Sequence, residues 1–337
     1  MSYHSIAPSA SASSAATSFD NPPMGVYQYS VYGLTVASDF PLALPQGASQ
    51  ESSNLRVKLE LVSPDNFSAT AQDREFAEGG WFQHDVLDDG SICMRWEDLF
   101  EFVITADGRR VLCKMLSKAE IESFETYLTT FALSGALIQQ GEEPLHATVV
   151  AIDGGAVGLI GPSGAGKSTL AAFLTERGAD LVTDDMLRLE FRDDVAVAFP
   201  GPCRLKLFKE PALKILKQAL DCGRFNPLSE KFIFQPVSFI DRRKGPQPLS
   251  ALYFLDTPPE HGDPKNISIE RLFGVDLFKT IAASTMNSRL NAADRLKRQF
   301  RFAERVAKSI PVYKLVYPRH YDLLDQVANL FDQKASP

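Results

Sequence analysis

Nine consecutive residues constrain this chain more than any others: Gly161-Pro162-Ser163-Gly164-Ala165-Gly166-Lys167-Ser168-Thr169. They fit G-x-x-x-x-G-K-[ST], a loop whose backbone N–H groups turn inward and cradle phosphate oxygens. The pattern also predicts its surroundings. The apolar run Gly158-Leu159-Ile160 enters as a strand. Ser168 to Arg177 leaves as a helix with Leu170, Ala171, Phe173 and Leu174 at helical spacing, and Gly178 stops it. A helix beginning at Lys167 aims the positive end of its dipole at the loop. Lys167 is placed to reach the β- and γ-phosphates, and the Ser168 hydroxyl to hold Mg²⁺, an ion that needs few protein ligands. Nucleotide binding through residues 161–169 is therefore the primary expectation.

What the nucleotide serves must be read from the flanks. A chain of 337 residues exceeds the usual size of one core, so two domains are expected. The net charge of −7 gives no general nucleic-acid surface. No apolar run approaches the roughly 20 residues of a membrane span. Cys93, Cys113, Cys203 and Cys222 make no C-x-x-C pair, and no basic-then-apolar leader is present. The expectation is a cytoplasmic protein without nucleic-acid or membrane partners.

The fold class expected is α/β with an α+β tendency. Residues 1–24 form a Ser/Ala-rich tail with little to bury, expected to be disordered. Residues 25–116 carry short strand signals: Val26–Val36, Leu55–Val62, Trp81–Leu87, Ile92–Trp96, and a hairpin of Phe100–Thr105 and Arg110–Met115 around Asp107-Gly108. They predict a small antiparallel β-domain with Trp81, Phe82 and Trp96 in its core. Lys118–Gln140 reads as one helix with an Ile121, Phe124, Leu128, Phe131, Leu137 stripe, closed by Gly141; residues 117–143 are expected to link the two parts. Residues 144–333 contain the loop. Within them Leu187–Phe191 and Val195–Phe199 form a hairpin around Asp193-Asp194, and Leu145–Ile152 precedes the loop strand. Hairpins this near a phosphate loop do not suit a doubly wound parallel sheet, and predict a mixed one. A short helix is expected over Ala212–Asp221.

Asp184 and Asp185 end the apolar segment Leu181-Val182-Thr183. Paired carboxylates at a strand end beside a phosphate loop suit phosphoryl transfer: one takes a proton from an attacking hydroxyl, the other holds Mg²⁺. A solvated Asp-Asp turn is the plainer alternative. His146, on the strand face opposite Leu145 and Ala147, is by itself more often a satisfied structural residue than a functional one. Arg204 stands open between a phosphate contact and a surface arginine. Arg242-Arg243-Lys244 is either a lid over the transferring phosphate or a solvated turn.

Leu145-His146-Ala147, the loop, and Arg177-Gly178-Ala179-Asp180-Leu181-Val182-Thr183-Asp184-Asp185 resemble, in this order, the catalytic domain of HPr kinase/phosphorylase. Tyr32-Gly33-Leu34-Thr35-Val36 with Asp39-Phe40-Pro41-Leu42 resembles the start of smaller HPr-kinase-like proteins, some of which accompany lasso-peptide clusters and phosphorylate a precursor peptide. The resemblance implies a P-loop domain of the HPr kinase and phosphoenolpyruvate carboxykinase type. It implies Lys167 on phosphate, Ser168 on Mg²⁺, Asp184 as proton acceptor and His146 as its neighbour. The family's glutamate Mg²⁺ ligand has no counterpart in Ala198-Phe199-Pro200-Gly201-Pro202-Cys203-Arg204, which leaves Asp185 or Glu190 to complete the metal shell.

The functional expectation is a kinase using ATP and Mg²⁺. Its catalytic residues are Asp184, His146 and Lys167, its cofactor contacts Gly161 to Thr169, and its metal ligands Ser168 and Asp185. The acceptor expected is a serine of a peptide or small protein, and the resemblance extends to a homo-oligomer. A small-molecule acceptor, or a nucleotide-gated binding module without turnover, stands as the alternative.

Overall fold

The computed structural model describes residues 26–46, 55–62, 81–116, 118–152, 155–216, 220–235, 245–258 and 266–332. The Ser/Ala-rich tail and the Arg242-Arg243-Lys244 turn lie outside them. Strands β1 (Tyr27–Val31), β2 (Leu34–Ser38), β3 (Arg56–Leu61), β4 (Phe82–Val86), β5 (Ile92–Trp96), β6 (Phe100–Ile104) and β7 (Arg110–Met115) form one sheet, ordered β1-β2-β3-β7-β6-β5-β4. It is not purely antiparallel, as its strand signals predict: β3 runs parallel to both β2 and β7. The Asp107-Gly108 hairpin forms in the expected place. Trp96 is buried among Phe82, Phe100 and Tyr127, whereas Trp81 is 53% exposed rather than core.

The run Val26–Val36, expected as one strand, is a hairpin. Tyr32 and Gly33 take φ +54° and +72° and turn β1 directly into β2. Two residues at positive φ make the turn whose twist suits a hairpin, but tyrosine carries no turn signal. Long-range contacts hold it there. The Tyr32 N–H donates to the Pro200 carbonyl (2.8 Å), its carbonyl accepts from Arg188 Nη1 (3.4 Å), and Arg188 stacks over Phe199 at 4.5 Å.

The expected linking helix begins at Ile121 and is not uniform. Helices α1 (Ile121–Tyr127) and α2 (Leu133–Gln139) flank a π-helical turn, Leu128–Ala132. Here the Thr129 hydroxyl takes the Glu125 carbonyl (2.6 Å), and side-chain back-bonding of this kind competes with the α ladder. Phe124, Leu128, Ala132, Leu133, Ala136 and Leu137 pack into the core of the first sheet.

The second sheet contains β8 (Ala147–Ile152), β9 (Gly155–Ile160), β10 (Asp180–Thr183), β11 (Leu189–Arg192), β12 (Val195–Ala198), β16 (Gln247–Asp256), β17 (Ser268–Arg271) and β18 (Val312–Val316). It is mixed, as the hairpins require. β8 pairs antiparallel with β10 and β9, while β16 runs parallel to β9 and β18. A separate three-stranded sheet joins β13 (Leu205–Leu207), β14 (Arg224–Asn226) and β15 (Lys231–Phe234). Helix α3 (Lys167–Glu176) and the closing α7 (Leu324–Asp332) cover one face of the second sheet. Helices α5 (Gly274–Ala283) and α6 (Ala293–Ser309) cover the other. The helix expected over Ala212–Asp221 sits earlier, as α4 (Lys209–Ile215), with Pro211 in its first turn where a missing N–H costs nothing. No helix among the described residues is long and apolar enough to cross a membrane.

A buried ion pair fixes the segment that enters β8. Arg295 Nε donates to Glu143 Oε2 (3.1 Å), and its two terminal nitrogens donate to the carbonyls of Met286, Asn287 and Leu290. Both side chains are almost wholly buried. Removing one partner leaves an uncompensated charge. Glu143→Ala is therefore expected to cost about 3–5 kcal/mol, read as a lowered midpoint in chemical denaturation.

Candidate functional site

The phosphate loop is built by the strand it leaves and the helix it starts. Gly164 and Gly166 hold φ +78° and +91°, and α3 begins at the next residue, Lys167. The Lys167 ammonium lies on the loop, donating to the carbonyls of Gly161 (2.7 Å) and Pro162 (3.0 Å). Residues Ser163 to Thr169 form one wall of a cleft of about 130 Å³. His146, Asp185, Lys206, Leu207, Phe208 and Lys231 line the rest.

Asp184, at the end of β10, sits behind this wall and is 3% exposed. Its Oδ1 accepts from Thr148 Oγ1 (2.7 Å) and Ser168 Oγ (3.0 Å), and its Oδ2 accepts from the Lys206 backbone N–H (3.0 Å). Asp185 turns the other way, into the cleft, and pairs with the Lys206 ammonium. The turn between them is strained: Asp185 has φ +108°, a region unusual for any residue with a side chain. Strain of this sort costs of order 1–3 kcal/mol and gathers at functional sites. The Asp185 N–H donates to the Ala147 carbonyl (3.1 Å), and its own carbonyl accepts from His146 Nδ1 (3.0 Å). A proton on Nδ1 leaves Nε2 of a neutral imidazole as the acceptor.

The electrostatics follow from three ammonium groups sharing a partly dry cleft. Burial depresses Lys167 and Lys206 to about 8, helped by the like charge of Lys231 and opposed by Asp184. Burial also holds His146 down to about 3, with Lys167, Lys206 and Lys231 pushing the same way. His146 is thus neutral across the physiological range.

The structure brings together the loop, Lys167, Ser168, Asp184, Asp185 and His146. Arg204 and Glu190 lie elsewhere. Arg204 packs half-buried against the π-turn, donating to the Thr129 hydroxyl and the Thr126 carbonyl, and Glu190 pairs with Arg188 and Arg192. Among the described residues no group of three or more His, Cys, Asp or Glu side chains is arranged to hold a metal. The oxygens at hand are those of Ser168, Asp184 and Asp185. This sparse set suits Mg²⁺, which keeps several waters and uses one or two carboxylates with phosphates. Sequence reading misses Thr148, Lys206 and Lys231. The alternation of Arg204-Leu205-Lys206-Leu207 signals a strand, but which lysine faces the cleft depends on distant pairing.

No family model matches the chain. It is 34% identical over 116 residues to HPr kinase/phosphorylase of Lactobacillus gasseri, covering 32% of this chain and 36% of that protein. The HPr kinase/phosphorylase of Lactobacillus johnsonii matches to the same extent. Over that stretch the chain is similar to HPr kinase/phosphorylase. It spans about a third of the length of these relatives. Among solved structures, the Hpr(Ser) kinase/phosphatase of Coxiella burnetii aligns at 16% identity with a TM-score of 0.29, over 57% of this chain and 95% of that one.

The half-buried neutral histidine has a stability consequence. Between its folded value of about 3 and the ordinary 6.5, the unfolded chain binds the proton and the folded chain does not, so this contribution is present above pH 6.5 and lost as pH falls. From pH 7.5 to 5 the wild type is expected to lose about 1–2 kcal/mol more than His146→Gln. Denaturant titrations at both pH values measure the difference.

Proposed function

We propose that this protein is a kinase that uses ATP and Mg²⁺ and transfers the γ-phosphoryl group to a hydroxyl, that of a serine in a peptide or small protein. One observation carries the reading: the Ser168 hydroxyl of a phosphate loop shares a carboxylate, Asp184, with a strand end whose next residue, Asp185, opens into the same cleft. A glycine-rich turn without a nucleotide has no need of a buried carboxylate at its serine or of three ammonium groups facing it. The likeness to HPr kinase/phosphorylase supports the same reaction class and an acceptor of protein kind. A precursor peptide of the lasso type is the narrower version of that acceptor.

In this reading the loop N–H groups and Lys167 hold the phosphates; Ser168 and Asp185 would hold Mg²⁺, which when bound would supply positive charge against the phosphates. The acceptor hydroxyl oxygen attacks the γ-phosphorus, the bond to the β–γ bridging oxygen breaks, and ADP leaves. The hydroxyl proton passes to Asp184, whose carboxylate is oriented by Thr148, Ser168 and the Lys206 N–H. His146 stays neutral and fixes the Asp185 backbone. Positioning and charge stabilisation supply most of the rate.

Two substitutions separate binding from chemistry. Lys167→Ala removes a charged phosphate contact and is expected to weaken ATP binding roughly 10- to 100-fold, with transfer falling alongside. Asp184→Asn keeps the size and the Thr148 and Ser168 contacts, gives up the one to the Lys206 N–H, and cannot take the proton; transfer is expected to fall by about 10²–10⁴ with ATP affinity little changed. Label from γ-labelled ATP, followed into peptide, protein and small-molecule fractions, reads the transfer and names the acceptor class. Tight ATP binding with no label in any fraction would replace the kinase by a nucleotide-gated binding module.

A further inference from the structure

Lys206 touches both carboxylates of the site, and no motif in the sequence announces it. Its backbone N–H donates to Asp184 Oδ2 (3.0 Å) and its ammonium pairs with Asp185. It stands on β13, across the cleft from the phosphate loop, and is 8% exposed. The other two cleft lysines are differently disposed. Lys167 is bound to the loop's own carbonyls, and Lys231 lies over the Phe208 ring at 5.0 Å. Of the three, only Lys206 is joined to the carboxylates where the chemistry is proposed to occur.

Resting on the kinase reading, we propose that Lys206 is the ligand of the terminal phosphate, taken over from Asp185 by the nucleotide, and that it gives the cleft its preference for a triphosphate over a diphosphate. A γ-phosphate bears more negative charge than a carboxylate and offers three oxygens, so it outcompetes Asp185 for one ammonium. The exchange also leaves Asp185 with an unpaired carboxylate, and Asp185 is the side chain proposed for Mg²⁺. Terminal phosphate and metal thus each receive a partner from one ion pair. A diphosphate, anchored by the loop and Lys167, presents nothing to Lys206 and leaves the pair closed. The strand is suited to the task. Lys206 is held by its own N–H on Asp184, so its side chain can change partners while its backbone stays in place.

The test measures ATP and ADP dissociation constants by calorimetry for wild type, Lys206→Met, Lys206→Arg, Asp185→Asn and the Lys206→Met/Asp185→Asn pair, in EDTA and in Mg²⁺. Lys206→Met is expected to weaken ATP about 10-fold or more and ADP less than about 3-fold, since it removes one charge-assisted contact to phosphate. Lys206→Arg should retain most of the ATP preference. In EDTA, Asp185→Asn should bind ATP several-fold more tightly than wild type, because the competing carboxylate is gone. That gain should vanish when Lys206 is also methionine, as a coupled pair requires. A purely structural lysine would lower both affinities together, or leave the Asp185→Asn gain intact in the double variant. Either result would overturn the proposal, and the Lys206→Arg and Asp185→Asn arms decide it even if Lys206→Met fails to fold. Wild type that binds neither nucleotide would overturn the kinase reading and this one together. An ATP preference lost with Lys206, in a protein that labels no acceptor, would sustain Lys206 as the phosphate ligand and remove only the kinase.

Discussion

A carboxylate buried as deeply as Asp184 must be supplied with hydrogen-bond donors, and the site is assembled by the way this is done. Its three donors come from three elements: Thr148 on β8, Ser168 at the start of α3, and the Lys206 N–H on β13. An ionised carboxylate left without them would cost several kcal/mol. Satisfying one buried charge therefore draws the second sheet, the phosphate loop and the three-stranded sheet to a common point. The strain at Asp185 follows from the same demand. The chain must keep one aspartate inside and turn the next one out within a single residue, which φ +108° achieves.

Around that point the balance of charge is deliberately uneven. Lys167, Lys206 and Lys231 face a cleft whose counter-charges are Asp184, behind the wall, and Asp185. Burial makes the Lys167 and Lys206 ammonium groups harder to keep charged. An anion entering the cleft supplies the missing charge at a place where water is partly excluded. Fixed charges of this kind act more strongly than they would in bulk solvent. The neutral His146 adds no further positive charge and serves through its Nδ1 contact with the Asp185 backbone.

The local part of this arrangement was legible in the sequence, and the remote part was not. The phosphate loop is a self-contained motif, so its strand, glycines and helix start appear where the spacing puts them. The β11–β12 hairpin and the mixed sheet follow from turn chemistry. Asp184 and Asp185 could be singled out as a pair at a strand end, but not told apart, because which one is buried depends on Thr148 and Lys206, far away in the chain. Arg204 lies just before β13 and Lys206 within it, and both look suited to phosphate; the π-turn, through Thr129, claims the arginine. The parallel neighbours of β3 leave no mark in a period-two pattern that any strand shows. The Tyr32 turn was hidden because the tyrosine is held in a left-handed conformation by distant contacts rather than by its own preference.

That turn has a consequence for how the chain is made. Tyr32 emerges early from the ribosome, whereas the carbonyl of Pro200 and the guanidinium of Arg188, which hold it, follow only after the whole phosphate loop has been synthesised. Until then the turn of the β1–β2 hairpin lacks these two contacts to its left-handed tyrosine. The edge of the first sheet is thus left to close late. One of those contacts comes from Pro200, in the segment that leads into Arg204 and Lys206, so the edge of the N-terminal sheet and the approach to the cleft share an anchor.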